Sequence, residues 1–316
     1  MKKIYFQNKK IFIKKKTILN YKLLVFKFFM LNIFFVLIII KTFYRIKVLL
    51  CTIGKIENKY IKEFVNHYKK LGIRKIILYD NNDINGEKFE DILERDINKN
   101  FVKIINYRGF KYPQKKSVID CYNRYNKIYD WIAFYDIDEF LHIINYSNIN
   151  KFLSLSRFKK CQSILINWKY YGDNNRLYYE PKPVIERFTT PFYFTKKNIN
   201  YNKYLTSAAK TIVRGGLNII WQHLPHHINN TINCRPDGKI INNYFSFPQY
   251  SIAYINHYTT KSTEEFAERL NKGDVILKVD DNYIKNRINN YYFFFNLKTK
   301  EKLNLFKKKL KYKIKF

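Results

Sequence analysis

The chain has 316 residues, with 59 Lys and Arg against 25 Asp and Glu, a formal charge of +34 and 47% apolar residues. That apolar share excludes an intrinsically disordered chain, which combines low hydrophobicity with high charge, and the length allows one large domain or two small ones. The charge by itself suggests nucleic acid, yet such a protein gathers Lys and Arg on one face or in a recognition motif, and the sequence has neither.

Part of the excess sits at the N-terminus, where residues 1–46 hold 11 basic side chains and no acidic one. The remainder is mostly scattered Lys among abundant Asn, Ile, Tyr and Phe, as an AT-rich coding sequence produces. Residues 1–22 form a basic arm. From Leu23 to Ile40 the sequence reads LLVFKFFMLNIFFVLIII, 18 residues interrupted by Lys27 and Asn32. This reaches the lower limit for crossing ~30 Å of hydrocarbon at about 1.5 Å per residue. The expectation is a transmembrane signal anchor over 23–41, single-pass, with the arm keeping the N-terminus cytosolic. The domain beyond it would then lie in a Golgi or ER type of lumen in a eukaryotic cell. Two sequons, Asn145-Tyr146-Ser147 and Asn229-Asn230-Thr231, are compatible with that side. Cys51, Cys121, Cys161 and Cys234 contain no CxxC pair, which excludes a zinc ribbon, and they are expected to be buried free thiols.

After Arg45 strands and amphipathic helices alternate. Segment 47–53 (KVLLCTI) is apolar on both faces, as a covered strand is. A helix follows with Ile61, Phe64, Val65, Tyr68 and Leu71 on one stripe and Gly72 as its C-terminal stop. Strand 75–80 ends in a turn-rich stretch, a helix through Phe89, Ile92 and Leu93 leads to strand 102–107, and a helix near 117–125 leads to strand 131–135. This order argues for an α/β fold with a mostly parallel sheet and helices on both faces. The second half is less regular, with short strands expected at 163–168, 211–213, 219–221 and 251–256. Ser262-Thr263-Glu264-Glu265 is a capping box for one more helix, closed by Gly273, and 276–316 reads as a helical basic extension.

The strongest chemical signal is Trp131-Ile132-Ala133-Phe134-Tyr135-Asp136-Ile137-Asp138-Glu139-Phe140. Acids at i and i+2 point to one side of an extended chain, and the C-terminal end of a strand is where open α/β sheets bind ligands. Two hard oxygen ligands there suit Mn²⁺ or Mg²⁺ holding a diphosphate. The competing reading is a solvated acidic turn.

The flanking residues continue an ordered series: Cys51 to Glu57, Tyr60 to Tyr68, Leu71-Gly72, Ile77 to Asp83, Gln114, the D-x-D-E-F segment, Ile255-Asn256-His257-Tyr258, and Lys261-Ser262 with Glu265-Phe266. The series resembles the nucleotide-sugar glycosyltransferases of the GT-A fold, specifically the family 92 / family 2-like group, over residues 47–275. One departure stands out: the family usually has Lys-Asn-Glu where this chain has Lys55-Ile56-Glu57, which bears on donor affinity or choice. The resemblance implies a metal-dependent, inverting transfer of sugar from a nucleotide-diphosphate sugar to a glycan, glycoprotein or glycolipid acceptor. It implies that Lys55 and Glu57 border the nucleotide, that Asp80 contacts base or ribose, and that Asp136, Asp138 and His257 face the metal and diphosphate, with Asp138 the more direct ligand.

Several residues keep two readings. Lys55 or Lys261 could add positive charge near a diphosphate, or be a solvated surface lysine. His223, His226 and His227 lack a metalloprotease spacing and read as a loop. Tyr170-Tyr171-Gly172 fits a sugar-stacking platform or the core equally. An inverting transfer needs a general base, and Asp173, ahead of Glu186, is the candidate. A dehalogenase-like phosphatase would carry Thr or Val where Phe140 stands and would place its acids after the first strand. A nucleic-acid binder and a non-catalytic family member are two further readings.

Overall fold

The computed structural model describes residues 23, 26–33, 46–111, 113–192, 208–219, 226, 228, 230–241, 248–272 and 299–310. It divides into two units, Met1–Arg45 and Ile46–Phe316. In the first unit, residues 26–33 are helical and expose Phe26, Phe28, Phe29, Met30, Leu31 and Ile33. Asn32 donates its side-chain amide to Phe28 O at 2.8 Å, which satisfies one of the polar groups that would otherwise burden an apolar helix. Among the described residues no helix is long and apolar enough to cross a membrane. Most of the expected 23–41 anchor, and all of the 1–22 arm, lie outside the described residues.

The second unit is built on the alternation foreseen in the sequence. Strands β1 (Val48–Gly54), β2 (Lys75–Asp80), β3 (Val102–Asn106) and β4 (Trp131–Phe134) are joined by helices α1 (Asn58–Leu71), α2 (Glu90–Asn98) and α3 (Gln114–Tyr125). These four strands are parallel in the order β3-β2-β1-β4. Their side chains alternate between two cores. Val48 and Leu50 pack with Ile61, Phe64 and Tyr68 of α1, while Leu49 and Cys51 pack with Val118, Cys121 and Tyr122 of α3. Each large apolar side chain so buried contributes roughly 1.5–3 kcal/mol. Gly72 ends α1 at φ 92°, a left-handed turn that its lack of Cβ permits.

The remaining elements are β5 (Glu139–Ile143), α4 (Ile149–Leu153), β6 (Ser163–Tyr170), α5 (Val184–Arg187), β7 (Ala209–Arg214), β8 (Asn233–Cys234), β9 (Ala253–His257), α6 (Thr263–Asn271) and α7 (Lys300–Lys309). They extend the sheet as β4-β7-β6-β9-β5, with β8 on β6. The sheet is mostly parallel, as expected, with five of the eight strand pairings among the described residues parallel, but it is mixed in this half: β7 is antiparallel to both β4 and β6, and β9 is antiparallel to β5 while parallel to β6. Strand β5 was not foreseen at all, and Ile219 is irregular, with the rest of 219–221 outside the described residues. The capping box forms: Ser262 accepts from Glu265 N, and Glu265 accepts from Ser262 N. Gly273 lies outside the described residues.

The cysteines are not free thiols. Cys51–Cys121 joins β1 to α3, and Cys161–Cys234 joins the turn before β6 to β8, with Cα separations of 6.4 and 5.7 Å. Spacing along the chain hid both pairs, since their partners stand 70 and 73 residues apart. Helix α7 is docked, not appended. Phe306 stacks on Phe266 of α6 at 5.8 Å, Lys309 O accepts from the Asn271 amide at 2.8 Å, and Lys302 Nζ lies 2.6 Å from Asp173.

Candidate functional site

Strand β4 is apolar and fully covered, and the chain turns sharply where it ends. Residues 137–138 form a turn, across which Glu139 N donates to Asp136 O at 3.0 Å. Acids at i and i+2 share a side only on an extended chain, so the two aspartates part company here. Asp136 meets Lys210 Nζ at 2.7 Å, whereas Asp138 meets Arg269 Nη1 and, at 3.6 Å, His257 Nε2. Beyond the turn, Glu139 opens β5 directly opposite His257 of β9. That register brings Asp138, Glu139 and His257 together, with one ligand atom from each within 4.8 Å of the others. Glu139 is thus the member that the D-x-D reading overlooked, and Asp136 is not in the group.

Lys210 arrives by topology. Because β7 runs antiparallel to β4 and pairs Ile212 with Ala133, its first residues reach the C-terminal end of β4. Lys210 is buried, 2.7 Å from Asp136 and 3.3 Å from Glu139 Oε1. Burial works against its charge, but Asp136 and Glu139 outweigh it and raise its pKa. For Asp138, burial also opposes ionisation, and the charges of Arg269 and Lys261 overcome it, holding the carboxyl well below the usual range. Glu139 behaves oppositely: complete burial, with Asp136 and Asp138 nearby, pushes its pKa well up in spite of Lys210. Burial lowers the His257 pKa to about 3, so the ring is neutral.

Those protonation states bear on a metal. Among the described residues, Glu139 Oε1 is buried with no hydrogen bond and only the 3.3 Å ion pair with Lys210, which leaves it lone-pair capacity for an ion. A neutral imidazole and two carboxylates are an acceptable donor set for a divalent ion, which itself favours the ionised form of a neighbouring acid. The His257 Nε2 separations of 3.6 and 4.0 Å from the two carboxylates exceed the ~3 Å between adjacent ligands at about 2.1 Å bonds by an amount that side-chain rotation can close. The residues fit the ion. Trp168, with its ring 4.5 Å from His257, and Tyr170, 5.4 Å away, wall the imidazole in.

A cavity opens beside the turn, at the C-terminal ends of β1, β2 and β4. It is lined by Thr52, Ile53, Tyr79, Gln114, Ser117 and Asp136. Thr52 Oγ1 is buried there without a hydrogen-bond partner among the described residues. Gly54, at the end of β1, has no room for a side chain: a Cβ would stand 2.5 Å from Ile137 Cδ1 and 2.8 Å from Phe89 Cζ.

The other residues expected around a nucleotide lie nearby but are engaged. Lys55 Nζ pairs with Asp83 at 2.9 Å, and Glu57 pairs with Lys272 from the end of α6. Asp80 is 1% exposed; Arg108 holds one oxygen at 2.6 Å and Asn82 donates twice to the other. Asp80 therefore fixes the turn after β2. Asp173, the candidate base, is buried, with Lys302 at 2.6 Å and Asn175 N at 2.9 Å; this geometry supports a loop-fixing role. Glu186 is exposed on α5. Tyr171 packs on Tyr258 in the core at 4.9 Å, not on a sugar platform. Lys261 is buried with Nζ 4.3 Å from the Tyr60 ring centre, so it is no solvated lysine. His226 lies against Trp168 with Nδ1 2.8 Å from Ala209 O; His223 and His227 lie outside the described residues. Sequence reasoning missed Glu139, Lys210 and Arg269. Only Glu139 had a visible signal, as the third acid in the run.

A segment of 94 residues is 24% identical to a glycosyltransferase family 92 protein of Ricinus communis, and one of 96 residues is 27% identical to another of Oryza sativa subsp. japonica. These segments cover 30% and 29% of this chain but only 17% and 15% of those proteins. Among solved structures, S. aureus TarS overlaps 79% of this chain and 44% of its own at 14% identity and a TM-score of 0.39. The mannosyltransferase PcManGT of Pyrobaculum calidifontis, in complex with GDP-Man and Mn²⁺, overlaps 39% of this chain and 36% of its own at 10% identity and a TM-score of 0.31. The family profile of Glycosyltransferase family 92 matches residues 46–291, which take in the cavity, the turn after β4 and the Asp138–Glu139–His257 group, and the chain therefore belongs to glycosyltransferase family 92.

Proposed function

We propose that the chain transfers a sugar from a nucleotide-diphosphate donor to a glycan or glycoconjugate acceptor, with inversion, and that Asp138, Glu139 and His257 hold Mn²⁺ or Mg²⁺ at the centre. The observation that carries this reading is the convergence of those three side chains at the C-terminal edge of a sheet ordered β3-β2-β1-β4. In open α/β sheets the ligand crevice lies outside the carboxyl ends of the strands where the order reverses, and here that point falls between β1 and β4. The cavity lined by Thr52, Gln114, Ser117 and Asp136 opens at that point, which agrees with the GT-A reading. The ion supplies positive charge where the departing diphosphate becomes more negative. Lys210 and Arg269 bring further charge to the same place, and Trp168 and Tyr170 shield the imidazole from water. The lumenal orientation of the domain is part of the same reading, and the two disulfides support it, since such bonds persist in oxidising compartments.

The test is turnover of UDP- and GDP-sugars with Mn²⁺, with and without a chelator. Asp138→Asn and His257→Ala are expected to lose at least about a hundredfold in kcat/KM, as loss of a charge-stabilising group does, with an unchanged circular dichroism spectrum. Undiminished activity in either variant sinks the assignment, and absence of both turnover and nucleotide binding in the parent favours a non-catalytic member.

A further inference from the structure

The centre carries cations of its own, and they are placed on the acids that a metal would use. Arg269, in the last turn of α6, donates through Nη1 to Asp138 Oδ2 and, at 3.0 Å, to Thr259 O. The opposite oxygen, Oδ1, is the one that faces His257 Nε2. Lys210 matches Asp136 in the same way at 2.7 Å and stands 3.3 Å from Glu139. Each aspartate of the turn is therefore matched by a basic side chain. The charge of its ligands helps set how tightly a site holds a divalent cation, and here the Asp138 carboxylate is already paired with Arg269.

We infer that Arg269 competes with the divalent ion for Asp138, so that loading the centre requires the guanidinium to give way. The inference rests on the metal reading of the proposed function. An ion on Oδ1 and a guanidinium on Oδ2 would place like charges on one carboxylate that is only 8% exposed, where water screens them weakly. Of the two partners, the arginine side chain is the more exposed, at 32% against 8%. Arg269 sits on a helix end, and Asp138 is fixed in the turn by its own backbone, whose carbonyl accepts from Tyr258 N at 3.0 Å. By linkage, whatever the ion costs the arginine contact, the arginine contact costs the ion. A planar guanidinium released beside the crevice is also well shaped to take phosphate oxygens.

The experiment measures binding of Mn²⁺ alone by calorimetry and by the electron paramagnetic resonance signal of free Mn²⁺. It uses the full chain as parent, Arg269→Gln, Arg269→Lys and Asp138→Asn. Competition predicts that R269Q binds Mn²⁺ at least about five times more tightly than the parent, that R269K, which keeps a charge, falls between them, and that Mn²⁺ raises the Tm of R269Q by more than that of the parent. D138N should bind in neither assay. Equal or weaker binding by R269Q, with the parent still binding, overturns the inference and makes Arg269 a support of the ligated carboxylate, while the metal reading stands. If no protein binds Mn²⁺ even with UDP added, the metal reading falls and the inference with it. Should R269Q fail to fold, the comparison of R269K with the parent decides: binding no tighter than the parent's rejects competition.

Discussion

At Ile56 a single side chain works against its backbone. The loop after β1 passes through the left-handed region there, at φ 55°, with Ile56 N held by Asn82 Oδ1 at 2.7 Å and the side chain 48% exposed. A β-branched residue is strained in that region, whereas Asn and Gly adopt it readily. The isoleucine, where the resemblance leads one to expect Asn between Lys55 and Glu57, therefore has a conformational side as well as a chemical one. Ile56→Asn is expected to stabilise the protein by about 1 kcal/mol, read as a higher denaturant midpoint at constant slope; a lower midpoint would mean that the isoleucine makes a compensating contact. Other residues were legible to different degrees. Asp138 and His257 could be located because an apolar strand running into acids, and one running into Asn-His-Tyr, are local signals. Lys210 and Arg269 could not, since in a chain with 59 basic residues nothing local separates a buried lysine or an ion-paired arginine from a solvated one.

Among the elements, the parallel half was readable because β1, β2 and β4 are apolar and covered on both faces and each helix has an apolar stripe. Strand β5 was not, since Glu139 and His142 break its apolar pattern and its burial depends on pairing with β9, far along the chain. Helix α7 shows the same limit. Its sequence KEKLNLFKKK reads as part of a helical basic extension, and what the reading does not show is its docking: Lys302 is 2% exposed and pairs with Asp173, which is 4% exposed. Removing one partner of such a pair leaves a buried charge without compensation. Lys302→Met is expected to cost roughly 3–5 kcal/mol, and Lys302→Met with Asp173→Leu to recover most of it. Denaturant unfolding of the two variants checks this. A double variant as unstable as the single one would show that the pair matters through something other than its buried charge. Activity in the folded double variant would also remove Asp173 from consideration as the base.

Over the whole unit, two disulfides tie segments 70 and 73 residues apart. Cross-links of that span remove chain entropy from the unfolded state worth about 4 kcal/mol in the simplest account, and roughly 2–4 kcal/mol is the usual yield. Replacing Cys161 and Cys234 together by Ala is expected to lower the unfolding free energy by that amount, and dithiothreitol to lower the parent's Tm but that of the variant by less. An unchanged Tm in reductant would mean that the bridges contribute nothing to stability. The pairing of β5 with β9 has a consequence for biosynthesis. Strands β1 to β4 are complete by Phe134, whereas the strand that carries His257 lies more than a hundred residues later. A chain growing from its N-terminus can thus shape the crevice at the ends of β1, β2 and β4 early, with His257 arriving among the last of the sheet. Chemistry is thereby withheld from every shorter translation product: a ribosome that stops before β9 releases a chain with the crevice strands but without the completed centre.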